Sequence, residues 1–136
     1  MDCLFCKIRD KEIKAEFVYE DEHAFGILDI NPIAPGHTMM IPKVHSENLL
    51  DLPDTEVGGV FLAVKRYTGI LKKVFRPDAF TIGINHGRAS GQVIDHLHIH
   101  IIPRFENDGG KSVHSVVSNP PKESLAEMAL KIRNHK

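Results

Sequence analysis

A chain of 136 residues with 42% hydrophobic composition is long enough for one domain with a real core and too short for two of ordinary size. Lys plus Arg number 17 against 18 Asp plus Glu, and no basic run has the density of a duplex-binding surface, which sets polymeric nucleic acid aside as a partner. No uninterrupted apolar run reaches membrane-spanning length, and Met1 to Lys7 shows no basic leader ahead of an apolar core, so a soluble, cytoplasmic protein with no membrane partner is expected.

In chain order, the first chemistry is Cys3-Leu4-Phe5-Cys6, a C-x-x-C pair that could supply half of a tetrahedral zinc site. The bland alternative is two small hydrophobes in a terminal turn, while a redox pair would need a surrounding βαβ pattern that is not there. Phe17–Glu20 and His23–Asp29 read as strands joined by the acidic turn Asp21-Glu22, with Phe25, Ile27 and Asp29 on one face by the period of two. Asn31 to Gly36 is turn chemistry, followed by a strand over His37–Pro42. From Asp54 to Phe75, apolar residues recur at spacings of three and four, which predicts the main helix, ended by Pro77. Ala79–Asn85 alternates as a further strand.

His86 to Gln92 is a glycine-containing loop able to present backbone N–H groups to an anion such as phosphate. It leads into Asp95–Ile102, where histidines at every second position alternate with aliphatic residues. A helix would turn these imidazoles ~200° apart at each step of two, whereas a strand lines up His96, His98 and His100 on one face and Leu97, Ile99 and Ile101 on the other. A half-exposed polar face or an opportunistic chelate is the plain alternative. A last helix is expected over Lys122–His135, with Leu125, Met128, Ala129 and Ile132 as its stripe. The sum is an α+β layout of about five mostly antiparallel strands and two helices. On the histidine face His98 is the best placed nucleophile toward phosphorus, since a neutral imidazole needs no strong base to activate it.

Asn85, Gly91-Gln92 and His96 to Ile102 closely resemble the histidine-triad (HIT) nucleotide hydrolases and transferases. The likeness extends to Asp29-Ile30-Asn31-Pro32, Gly36-His37, Ile41 to His45 and the N-terminal Cys-x-x-Cys-Lys-Ile of Hint-like bacterial members, covering roughly residues 3 to 105 of a single HIT domain spanning 1–136. The resemblance implies that His98 attacks the α-phosphorus of a nucleotide ester or phosphoramidate and forms a nucleotidyl-histidine intermediate that water releases. It implies that His100 and the backbone near Gln92 hold the phosphate and that the His96 carbonyl orients His98. It further implies a ribose role for Asp29, an apolar base pocket of Leu4, Phe5, Ile8, Ile27 and Ile30, and sugar and phosphate neighbours in Asn85, Gly91 and Gln92. Val93 stands where many relatives place a Ser or Thr on the phosphate, a loss of about one hydrogen bond. A homodimer through the long helix and a continuous sheet is implied as well.

Related proteins pair such cysteines with a histidine after the third strand and the first histidine of the triad, so the implied ligands of a structural zinc are Cys3, Cys6, His45 and His96. The alternative for His45 is a hydrogen bond within the histidine cluster. The expected substrate is a purine nucleoside phosphoramidate or aminoacyl-adenylate. The alternatives are a dinucleoside polyphosphate hydrolase or nucleotidyltransferase, and, outside enzymes, a zinc and nucleotide binding module acting through partners. His23, His86, His114 and His135 are read as surface or loop residues.

Overall fold

A computed structural model of the chain describes residues 2–135. Strands Phe17–Glu20 (β1), Ala24–Leu28 (β2), Thr38–Pro42 (β3), Ala79–Gly83 (β4) and Ile99–Arg104 (β5) form one antiparallel sheet in the order β1-β2-β3-β5-β4. Helices Leu4–Arg9 (α1), Asp54–Phe75 (α2) and Leu125–Arg133 (α3) complete it. No helix among the described residues is long and apolar enough to cross a membrane.

The alternation of side chains along the strands builds two cores. On one face α2 lays Val60, Ala63, Val64, Tyr67 and Leu71, spaced as one helical stripe, on Ala24, Met40, Leu97, Ile99 and Ile101. On the other, Phe5 and Ile8 of α1 pack with Phe25, Ile27 and Ile41. Neighbouring residues of β3, Met40 and Ile41, therefore enter opposite cores, and the histidines share the α1 side with Ile41.

Strands β2, β3 and β4 are one or two residues shorter than the sequence expectation, and three other elements depart from it further. The terminal turn is a six-residue helix, α1, whose N-cap Cys3 accepts the Cys6 N–H on Sγ at 3.4 Å. So short a helix shows only Phe5 and Ile8 as its apolar spacing and holds its shape by packing, not by propensity. The histidine strand starts its ladder at Ile99 instead of Asp95, because the facing Pro42 has no N–H to continue the pairing. Finally, Ser124 and Glu127 make a reciprocal capping box that starts α3 at Leu125, later than Lys122. Its Leu125 and Ile132 are exposed.

Two adjacent helix glycines give opposite expectations. A Cβ on Gly58 would meet nothing within 4 Å, whereas one on Gly59 would stand 2.4 Å from His23 Cγ. His23 is held there by Glu56, Nδ1 to Oε1 at 3.1 Å. Gly58→Ala should therefore stabilise by about 0.5–1 kcal/mol through reduced backbone freedom. Gly59→Ala should lower Tm, since it must turn the imidazole out of its pair. Glu56 raises the His23 pKa above 6.5, so the pair contributes below that pH and fades as pH rises through the raised value, and the gap between the variants should narrow with it. Equal melting shifts at pH 5.5 would show that His23 moves freely.

Candidate functional site

Where the β3 ladder stops, the fully buried His96 takes over the free carbonyl: its Nε2–H donates to Pro42 O at 2.9 Å. That bond assigns the Nδ1 lone pair of His96, which lies 3.3 Å from Cys3 Sγ, 3.6 Å from Cys6 Sγ and 3.1 Å from His45 Nδ1. Cys6 Sγ is in turn 3.4 Å from His45 Nδ1. Two thiolates and two imidazoles around one zinc would have edges of about 3.3–3.8 Å at ordinary bond lengths, so the donor set fits a closed tetrahedral site. Burial pushes the His96 pKa down to about 4, so its lone pair stays free at neutral pH. Burial, then the neighbouring Cys3 sulfur, push the Cys6 thiol up, an effect that a bound cation would reverse.

Two residues on, His98 Nδ1–H donates to the His96 carbonyl oxygen at 2.9 Å. The neutral ring then carries its lone pair on Nε2, which has no partner among the described residues. The Phe5 ring meets His98 edge-on at a centroid distance of 5.2 Å, and His100 stands at the same 5.2 Å on its other side. His100 in turn offers Nδ1 to His37 Nε2 at 2.9 Å. Asp29 Oδ2 lies 3.5 Å from that His37 nitrogen and 3.9 Å from His100 Nδ1. Burial, then the neighbouring His98 and His37, lower the His100 pKa to about 4.

The remaining site residues named from sequence are placed less uniformly. Phe5, Ile8 and Ile27 are buried together behind α1, but Ile30 is 88% exposed and Leu4 sits on the outer side of its helix. The Gln92 carboxamide is engaged inside its own loop, accepting from Gly87 N at 2.8 Å and donating to Glu47 O at 2.7 Å and Ile94 O at 3.0 Å. Gly91, at φ +105°, lies against the Asn85 amide, and Val93 is 78% exposed. His86, His114 and His135 are exposed. His37 is the residue sequence reasoning left without a role. It lies on the His100 side of the sheet because Met39 pairs with His100, a register that a single sequence does not print.

Comparison with known proteins matches the family described as HIT domain over residues 10–107. An adenosine 5'-monophosphoramidase of Saccharomyces cerevisiae is 35% identical over 108 residues, 79% of this chain and 66% of that protein. A HIT family member from Bacillus subtilis superposes with a TM-score of 0.87 at 33% identity, covering 100% of this chain and 98% of that one. A zinc-bound histidine triad family protein from Mycobacterium smegmatis gives 0.72 at 33% identity over 90% of this chain and 85% of that one.

Proposed function

The chain belongs to the HIT domain family, and on that premise we propose that it is a nucleotide hydrolase acting at the α-phosphorus of purine nucleoside phosphoramidates or related conjugates. The observation that carries this reading is the tautomer of His98: with Nδ1–H tied to the His96 carbonyl, the lone pair sits on Nε2, the atom free to attack. Nε2 forms a bond to phosphorus while the bond to the amine breaks, and the amine leaves with the electron pair and takes up a proton. Water then attacks the same phosphorus, the bond to Nε2 breaks, and the nucleoside monophosphate departs. The monophosphoramidase relative supports the leaving group, and the buried Phe5, Ile8 and Ile27 offer an apolar wall for a base. Rapid quenching with a labelled adenosine phosphoramidate should trap the nucleotide on His98. Tight binding with no trapped adduct would leave a nucleotide-binding module instead.

Zinc held by Cys3, Cys6, His45 and His96 belongs to the same proposal. A closed set of four ligands leaves no position for water, so the ion would brace α1 against the histidine segment, and His98 would do the chemistry. A homodimer is supported by the apolar residues that α2 leaves exposed, Phe61, Leu62, Ile70 and Val74, and by Ile82 on the edge strand β4.

Asp29 is assigned the ribose hydroxyls. One of its oxygens is already fixed by the Asn31 N–H at 2.9 Å, which holds the carboxylate at the end of β2. Asp29→Ala should raise KM for ribonucleotides about tenfold, the worth of one charge-assisted hydrogen bond, and erase discrimination against 2'-deoxy substrates, with kcat changed by less than about threefold. Unchanged KM ratios in steady-state assays would remove the ribose role.

A further inference from the structure

Resting on the hydrolase reading above, we propose that His37 is a positioning residue that fixes the tautomer of His100, so that a neutral imidazole presents an N–H donor, and not a lone pair, to the phosphoryl group. The chain of donors begins outside the histidines. The backbone N–H of Ile33 donates to His37 Nδ1 at 3.3 Å, so the His37 proton must reside on Nε2. That Nε2–H faces His100 Nδ1 at 2.9 Å, where a second proton would clash, so His100 accepts there and carries its own proton on Nε2. Nε2 of His100 has no partner among the described residues, and the ring stands 5.2 Å by centroids from the nucleophilic His98.

The consequence is a change of sign. A phosphoryl group held against His98 Nε2 brings anionic oxygens within reach of His100 Nε2, where an N–H stabilises the charge that builds up and a lone pair would repel it. No proton leaves His100 in this role. Burial keeps both His37 and His100 from charging near neutral pH, so tautomer and not ionisation decides what the ring offers.

The turn ahead of His37 is built to hold this geometry. Gly36 sits at φ +83°, and a Cβ there would stand 2.9 Å from the Phe75 ring at the end of α2. Asp29 Oδ2, 3.5 Å from His37 Nε2, is the competing acceptor, but it lies farther than His100 Nδ1. A divalent cation could also reach the Asp29, His37 and His100 atoms. It would have to displace the proton that the Ile33 amide confines to His37 Nε2, so hydrogen bonding is the assignment the donors support.

Nitrogen-15 spectra of histidine-labelled protein without substrate test this directly. His100 is expected with its proton on Nε2 and a bare, hydrogen-bonded Nδ1, and a proton on Nδ1 would overturn the proposal. In assays, His37→Phe should lower kcat on the order of 10²-fold, with KM within about threefold, the size of losing one preorganised donor. His37→Gln, whose amide N–H reaches the place of Nε2, should recover kcat to within about tenfold of wild type. Phe and Gln variants falling equally, or neither falling, would reduce His37 to packing. The spectrum decides the tautomer even where no nucleotide is trapped on His98, so the two readings fail separately.

Discussion

Replacing His98 by alanine is expected to lower kcat at least about 10³-fold, ~4 kcal/mol of barrier, while nucleotide affinity changes less than about threefold. The asymmetry follows from what the side chain touches. Its one hydrogen bond is to the His96 carbonyl, and its ring contacts are the edges of Phe5 and His100. None of these holds the sheet together: the cores under α1 and α2 are made by Phe25, Ile27 and Ile41 and by Met40, Ile99 and Ile101. The apolar wall, Asp29 and His100 all remain, so a nucleotide still binds, but the only lone pair aimed at phosphorus is gone. Loss of the quenched adduct should accompany loss of turnover. Turnover within about tenfold of wild type would sink the covalent mechanism, because the histidines around His98 offer no substitute: His96 and His37 carry their protons on Nε2, and so does His100 in the tautomer assigned above.

Much of this site is legible in the sequence because a β-strand and an α-helix impose different periods. The spacing of two over His96 to Ile101 puts imidazoles on one side and aliphatics on the other, and the structure lays Leu97, Ile99 and Ile101 under α2 as that period requires. The 22-residue α2 has the bounds its apolar spacing predicts, Asp54 to Phe75. What the sequence hides are contacts that depend on pairing between distant segments. The ladder stops at Ile99 because of a proline 57 residues earlier, and His37 meets His100 only because β3 and β5 pair in one register. Gln92 looks like a ligand-facing amide in a glycine loop, yet its three hydrogen bonds tie Gly87, Glu47 and Ile94 together, an arrangement set by how the loop folds back on the chain after β3. Ile30 fails to join the apolar wall for a local reason: it lies beyond the end of β2, where the alternation that buries Phe25 and Ile27 no longer holds.

Removing the two cysteines should have the largest effect on stability. One zinc per chain is expected in protein purified without chelators or nickel resin, held by Cys3, Cys6, His45 and His96, whose ligand atoms lie within 4.8 Å of one another. The four come from the cap and first turn of α1, the segment after β3 and the approach to β5, so one ion would join three parts of the chain that otherwise meet through side-chain packing and a few hydrogen bonds, Arg9 Nη1–H to Lys43 O at 2.6 Å and Leu97 N–H to Ser46 O at 2.7 Å among them. A ligand present at 1,000 times its Kd stabilises by about 4 kcal/mol, and for a chain of this size that is roughly 10–20 °C in Tm. Cys3→Ser with Cys6→Ser should lose the metal and that margin, and α1 should exchange its amide hydrogens faster. Because ligands must shed protons to bind, and burial raises the Cys6 thiol, chelators should strip the ion more readily as pH falls. Chemistry should suffer less than stability, since the His98 Nδ1 bond is to a backbone carbonyl and not to a metal ligand's side chain, leaving Phe5, the α1 residue beside His98, as the route for any loss. His45→Ala separates the two roles open to that residue: loss of zinc marks a ligand, whereas retained zinc marks a hydrogen-bond partner. Less than a tenth of an equivalent of zinc, with freely reactive cysteines and unchanged melting in the double variant, would return Cys3 and Cys6 to the core of α1 as ordinary small apolar residues.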